Sequence, residues 1–180
     1  LPSLSTLNSL VSAMKLNWGR KMAERIAAEL TPFCDQIEIA GSIRRQRPVV
    51  NDIDLVVIPK QGSFYALQDR CKQHSKVVTS GEQNQIYRLA NCEQLDLWIA
   101  RWPSVDLLTR TPTNFGSLFC CRTGSKEHNI YLCQRAESLG MRWNPYFGVF
   151  EHGRCIACET EEEIFTALQL DFVEPEKREK

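Results

Sequence analysis

Two carboxylates point to chemistry. Asp52 and Asp54 stand at i and i+2 in Asn51-Asp52-Ile53-Asp54-Leu55-Val56-Val57, at the start of an apolar, β-branched run. A strand alternates its side chains with period two, so both carboxylates share one face. Neighbouring like charges repel, and a cation between them removes the repulsion. Hard oxygen donors on short side chains suit Mg²⁺, which keeps some water and takes further ligands from phosphates. A third carboxylate, Asp96, lies in Gln94-Leu95-Asp96-Leu97-Trp98, again within an apolar strand pattern. If the two strands are neighbours, the three acids converge. Such a triad holds two divalent ions about 3.5–4 Å apart, the arrangement used for in-line phosphoryl displacement.

Upstream of the pair stands Gly41-Ser42-Ile43-Arg44-Arg45. Glycine lets backbone amides approach a phosphate, and the serine hydroxyl adds a donor. Arg45 adds a charged fork. Either motif alone is weak, because Gly-Ser turns and strand-end aspartates are common. Joined at this spacing, with a later strand aspartate, they are far more specific.

The elements that position these groups read as follows. Lys15 to Leu30 has helical spacing, with Met22, Ile26 and Leu30 on one side, Lys15, Arg20, Lys21 and Arg25 forming a basic side, and Pro32 ending it. Strands are expected at 36–40, 53–58, 77–79, 85–89 and 94–100, with a turn at Gly41-Ser42 and a helix at 63–73. Pro103 and Pro112 punctuate a connection. Helices follow at 114–121 and 126–139, then a hairpin turning at His152-Gly153. Thr160 and Glu163 form a capping box for a last helix to about Leu168, and the charged end from Glu174 to Lys180 reads as loosely held. Residues 1–13, rich in Ser and Leu, read as a leading helix or a processing remnant.

The 180 residues carry 43% hydrophobic and 24% charged residues, which excludes a disordered or fibrous chain. No apolar run approaches the roughly 18 residues of a membrane span, and no leader is visible. Net charge is zero, but the last 30 residues hold nine acids against four bases, so the basic excess lies upstream. The eight cysteines read as reduced intracellular thiols, and Cys155-Ile156-Ala157-Cys158 lacks the partner ligands of a zinc site. A cytoplasmic protein is expected.

The combination resembles the nucleotidyltransferase signature of the polymerase-beta-like superfamily, and the later residues resemble family X DNA polymerases in particular. Arg122-Thr123-Gly124-Ser125, with Asn129, Ala136 and Gly140, is similar to the start of that family's thumb. Thr160-Glu161-Glu162-Glu163-Ile164-Phe165, with Leu168 and Glu174-Pro175 before Arg178, is similar to its closing signature. The resemblance covers roughly residues 20–178. It implies an α+β fold: a nucleotidyltransferase palm, a mixed β-sheet with flanking helices, over residues 1–112, then a small α+β thumb over 113–180.

By resemblance, Asp52 and Asp54 ligate two Mg²⁺ ions, with Mn²⁺ as a substitute, and Asp96 completes the catalytic ion's site and helps activate a primer 3′-hydroxyl. Gly41, Ser42 and Arg45 hold the incoming triphosphate, Gly124 lets the backbone approach the sugar, and Asn129 touches the minor-groove edge of the incoming base. The implied reaction is gap filling on DNA by a monomer, with gapped DNA or a primer-template and a nucleoside triphosphate as partners and no membrane.

Some positions depart from the family. Two aromatics often precede the Thr-Gly-Ser; here Cys121 and Arg122 do, and the Arg122 guanidinium can bind phosphate or template instead. Cys133 replaces an arginine that senses the base pair, which implies low fidelity. With about 40 residues before Gly41 there is no expectation of the family's lyase domain or of its fingers, and none of its phosphoesterase domain. Two other functions share the Asp52/Asp54 pattern: nucleotidyl transfer to an RNA, small molecule or protein, and a non-catalytic nucleic-acid-binding module.

Overall fold

The computed structural model describes residues 14–73, 75–90, 93–105 and 110–179. Residues 1–13, read above as a leading helix or remnant, lie outside the described residues.

β1 (Met14–Lys15) precedes α1 (Leu16–Leu30), and Pro32 sits in the 3₁₀ turn that ends the helix. β2 (Cys34–Ile39) then leads into α2 (Gly41–Arg44). The expected turn at Gly41-Ser42 is therefore the opening of a short helix: the amides of Arg44 and Arg45 bond back to the carbonyls of Ala40 and Gly41. β3 (Val49–Val50) pairs with β1, which draws Lys15 out of the helix expected to include it. β4 (Asp52–Pro59), α3 (Phe64–Lys72), β5 (Ser75–Ser80), β6 (Asn84–Leu89) and β7 (Gln94–Ile99) complete the first half.

Five strands make one sheet, in the order β2-β4-β7-β6-β5. Only β4 and β7 run parallel, so the sheet is mixed as expected. Its two faces differ. Ile53, Leu55 and Val57 of β4, with Leu95, Leu97 and Ile99 of β7, pack under α1 and α3 with Ala23, Leu30 and Leu67. The alternate positions, Val56, Ile58 and Trp98, face Phe115 and Leu118. Period two thus places Asp52, Asp54 and Asp96 on this second face.

The short pair β8 (Ser104–Val105) and β9 (Arg110–Thr111) precedes α4 (Phe115–Thr123) and α5 (Lys126–Ser138). The expected hairpin is three-stranded: β10 (Arg142–Asn144) joins β11 (Gly148–Glu151) and β12 (Arg154–Ala157). α6 (Glu161–Ala167) opens with both halves of the Thr160/Glu163 capping box. A second apolar cluster, with Cys120, Leu132, Trp143, Val149 and Phe165, binds these elements. α4 joins the halves, since Phe115 and Leu118 face the sheet while Cys120 enters the second cluster.

As far as Glu179, the charged end is not loose. Arg178 is fully buried, donates to the Val173 carbonyl and to Glu161 Oε1, both at 2.7 Å, and lies over the Phe165 and Phe172 rings. The other Glu161 oxygen receives Arg44 Nη2 at 2.6 Å. A buried ion so partnered anchors its segment, because leaving it would strand an unpaired charge. Among the described residues no helix is long and apolar enough to cross a membrane, and seven cysteines are free thiols.

His128 lies beside this clasp, stacked on Phe165, with its Nε2 buried and unbonded. Burial, then the Arg178 charge, lowers its pKa to about 4. The unfolded chain therefore binds the extra proton first. Stability from the neutral imidazole is present above about pH 6.5 and is lost as pH falls towards the folded value. His128→Phe should flatten that part of the pH–stability curve, and the difference from the parent, measured by urea unfolding, should grow by on the order of 2–3 kcal/mol between pH 7 and 4.

Candidate active site

The parallel pairing of β4 with β7 sets Asp52 opposite Gln94 and Asp54 opposite Asp96. In-register partners on parallel strands project to the same side. Asp52, Asp54 and Asp96 therefore occupy neighbouring positions on one face, as the sequence implies. Asp96 is buried, and Asp52 and Asp54 are half-buried.

Each carboxylate has a neutral donor or a cation nearby. Trp98 Nε1 donates to Asp54 Oδ1 at 3.1 Å, and Gln94 Nε2 donates to Asp96 Oδ1 at 2.7 Å. Arg122, near the end of α4, stacks 3.4 Å over the Trp98 ring and donates to the Tyr146 hydroxyl at 2.8 Å. These contacts do not neutralise the cluster. Burial, then the Asp52 charge, pushes Asp54 up to about 7, against the Trp98 hydrogen bond and Arg122. Burial raises Asp52 and Asp96 as well; Arg45 opposes it at Asp52, and Gln94 and Arg122 oppose it at Asp96.

Among the described residues, no three His, Cys, Asp or Glu side chains stand close enough to hold a metal ion unaided. Register and face are in place, but the carboxylates do not form a closed cage. The donor set nonetheless fits a hard divalent cation: it is all oxygen, like-charged and self-repelling. It does not fit a soft metal, and Cys155 and Cys158 join no metal cluster among the described residues.

The α2 residues press against this cluster. Gly41 has φ +61°, and a Cβ there would lie 2.0 Å from Asp54 Oδ2. The Ala40 amide donates to the Asp54 carbonyl at 2.9 Å, stitching the segment to the carboxylate strand. Ser42 Oγ is buried without a hydrogen-bond partner. Such a hydroxyl is costly unless something else satisfies it.

A cleft of about 490 Å³ opens between the halves, lined in part by Arg45, Asp54, Trp98, Arg122, Gly124 and Asn129. It gathers five of the expected site residues; Gly41, Ser42, Asp52 and Asp96 do not line it. Gly124 has φ +74°, and a Cβ there would come within 3.0 Å of Arg45 Nη1. Asn129 Nδ2 donates to the Cys121 carbonyl at 2.8 Å, which leaves its buried Oδ1 unpartnered. Arg45 is engaged: Nε meets Glu179 at 2.6 Å and Nη1 donates to the Thr123 carbonyl.

Sequence reasoning missed Trp98, Gln94 and Tyr146 as site residues. Trp98 and Gln94 were findable, because each stands two residues from Asp96 and so shares its face. Tyr146 carried no such signal, since its contact with Arg122 is set by tertiary packing.

The family model for the DNA polymerase beta thumb matches residues 119–179. The chain is 27% identical over 168 residues to the Bacillus subtilis DNA polymerase/3′-5′ exonuclease PolX, covering 91% of this chain and 28% of that protein. It superposes on Leishmania infantum polymerase beta in a ternary gap complex with a TM-score of 0.75 at 15% identity, covering 94% of this chain and 71% of that one. In the same enzyme's ternary P/T complex the TM-score is 0.76 at 17% identity, covering all of this chain and 84% of that one. The chain therefore spans about a quarter of the length of the Bacillus relative it resembles, and it shares the fold of polymerase beta. The sequence match to the Bacillus protein and the structural match both extend across the two halves of the chain.

Gly41→Ala should damage this site more than its backbone strain alone explains. Gly140 has a similar φ, +72°, with nothing within 4 Å of an added Cβ. Gly140→Ala should then cost about 1–2 kcal/mol of strain. Gly41→Ala should cost more and also displace the Asp54 carboxylate, read by thermal melting and in a crystal structure of the variant. Equal effects of the two would count against the tight Gly41–Asp54 contact.

Proposed function

We propose that this chain carries a palm over residues 1–112 and a thumb over 113–180, and that it catalyses template-directed DNA synthesis on gapped or primed DNA. The observation that carries this reading is the register of Asp54 against Asp96, with Asp52 on the same face, beside a cleft walled by arginines. The family X likeness supports a DNA-binding nucleotidyltransferase.

In this reading Asp52, Asp54 and Asp96 would hold two Mg²⁺ ions, which would supply positive charge to offset the charge developing at phosphorus. Asp96, oriented by Gln94, takes up the primer 3′-hydroxyl and draws off its proton. The 3′-oxygen then attacks the α-phosphorus of the nucleotide, and the bond to pyrophosphate breaks. Arg45 and Ser42 Oγ hold the leaving phosphates, and the buried hydroxyl gains the partner it lacks. Asn129 Oδ1 offers an acceptor to the base. Arg122 stays against Trp98 as a fixed positive charge beside the carboxylates. Cys133 borders the cleft without a charged fork for the base pair, so selection between bases rests mostly on pairing with the template.

A primer-extension panel tests this reading: gapped DNA, primed template and bare single strand, with dNTPs and rNTPs, alongside RNA and protein acceptors. Addition should follow the template base on gapped DNA, with frequent misinsertion. Asp52→Asn, Asp54→Asn and Asp96→Asn should each lower single-nucleotide transfer by roughly 10²-fold or more while leaving the fold intact. Mg²⁺ with a dNTP at a hundred times Kd should stabilise the parent by about 2.7 kcal/mol, read as a higher Tm. Template-independent addition, or transfer only to a non-DNA acceptor, contradicts the reading.

A further inference from the structure

The arginine run Arg44-Arg45-Gln46-Arg47 is covered by acids from the end of the chain. Glu161 takes Arg44 at 2.6 Å. Glu179 takes two others: its Oε1 lies 2.6 Å from Arg45 Nε, and its Oε2 lies 3.4 Å from Arg47 Nη1. Gln46, between them, donates to Glu176. The segment bearing Glu176 and Glu179 is anchored. Arg178 is fully buried between them, and its carbonyl accepts the Ser125 amide at 3.1 Å. Glu179 is thus delivered to Arg45 by a fixed stretch of backbone.

The two glutamates have different surroundings. Glu161 is 4% exposed at its side chain and shares its oxygens between Arg44 and Arg178, so it is a structural ion. The Glu179 side chain is 31% exposed and has no buried partner of its own. Its bonds with Arg45 and Arg47 can exchange at low cost, because part-exposed ion pairs contribute little net stability. A carboxylate forking onto arginines presents the same planar oxygen pattern as a phosphate edge. Arg45 also lines the cleft beside Asp54.

We propose that Glu179 is an internal occupant of the polyphosphate subsite, which an incoming triphosphate displaces from Arg45 and Arg47. This rests on the reading of Arg45 as a triphosphate ligand. The exchange replaces one carboxylate with phosphate oxygens on the same guanidinium groups, so no bond is made or broken covalently. Glu179 weakens the binding of every polyphosphate by competition, whatever its base. It also keeps the arginines ordered and their charge covered while the subsite is free of phosphate.

The test uses the full chain with inorganic tripolyphosphate and Mg²⁺, followed by calorimetry, for the parent, Glu179→Gln, Arg45→Gln and the double variant. Thermal melting shows that each is folded. Glu179→Gln should tighten tripolyphosphate by roughly two- to fivefold, the scale of a part-exposed ion pair released from competition. The gain should vanish in the Arg45→Gln background. Unchanged or weaker binding in Glu179→Gln overturns the proposal, since Glu179 would then be neutral or would position Arg45. If Arg45→Gln binds tripolyphosphate as well as the parent does, the triphosphate role of Arg45 fails, and the proposal fails with it. A Glu179→Asp variant, which keeps the charge on a shorter stem, should show a smaller gain than Glu179→Gln. An equal gain would show that contact geometry, rather than competing charge, sets the effect.

Discussion

The crowding of three carboxylates on one face of the β4–β7 pair is the constraint around which the molecule is arranged. A sheet can hold one such acid at its surface cheaply. Three, partly buried, repel each other and raise one another's proton affinity, as Asp54 shows. Neutral donors from Trp98 and Gln94 and the nearby charge of Arg122 relieve this only in part. A divalent cation on oxygen donors would relieve it more fully. The crowding is tolerated because the strands that carry it are rigid: their opposite face is the fully buried Ile53, Leu55, Leu95 and Leu97.

The second half of the chain is coupled to this face through α4 and the glutamate clasp. Phe115 and Leu118 pack on the sheet, while Arg122 at the far end of the same helix reaches back over Trp98. Glu161 ties Arg44, one residue from Arg45, to Arg178 near the chain's end. A shift of α6 is therefore felt at α2, and so at the Arg45 side of the cleft.

Much of this arrangement was legible in the sequence, for a physical reason. Period-two alternation places Asp52, Asp54 and Asp96 on one face once their strands are known, and an apolar β-branched run announces the strand. The capping box at Thr160 and Glu163 is local chemistry and was equally readable. Non-local facts were not readable. The end of the chain looks loose because Glu174 to Lys180 is almost all charge, yet Arg178 finds Glu161 across 17 positions of sequence and is buried with it. The opening of α2 looked like a turn because glycine and serine favour turns, but its backbone bonds close a helical loop. β10 was missed because Arg142 to Asn144 alternates too briefly, and only pairing with β11 defines it.

The most direct measurement is the position of Mn²⁺ by anomalous scattering in crystals of the full chain with a non-hydrolysable dNTP. Density between Asp52, Asp54 and Asp96, shared with the phosphates, is the expected result. Ions bound to the phosphates alone, with Asp96 still turned to Gln94 and uninvolved, would contradict a common three-carboxylate centre.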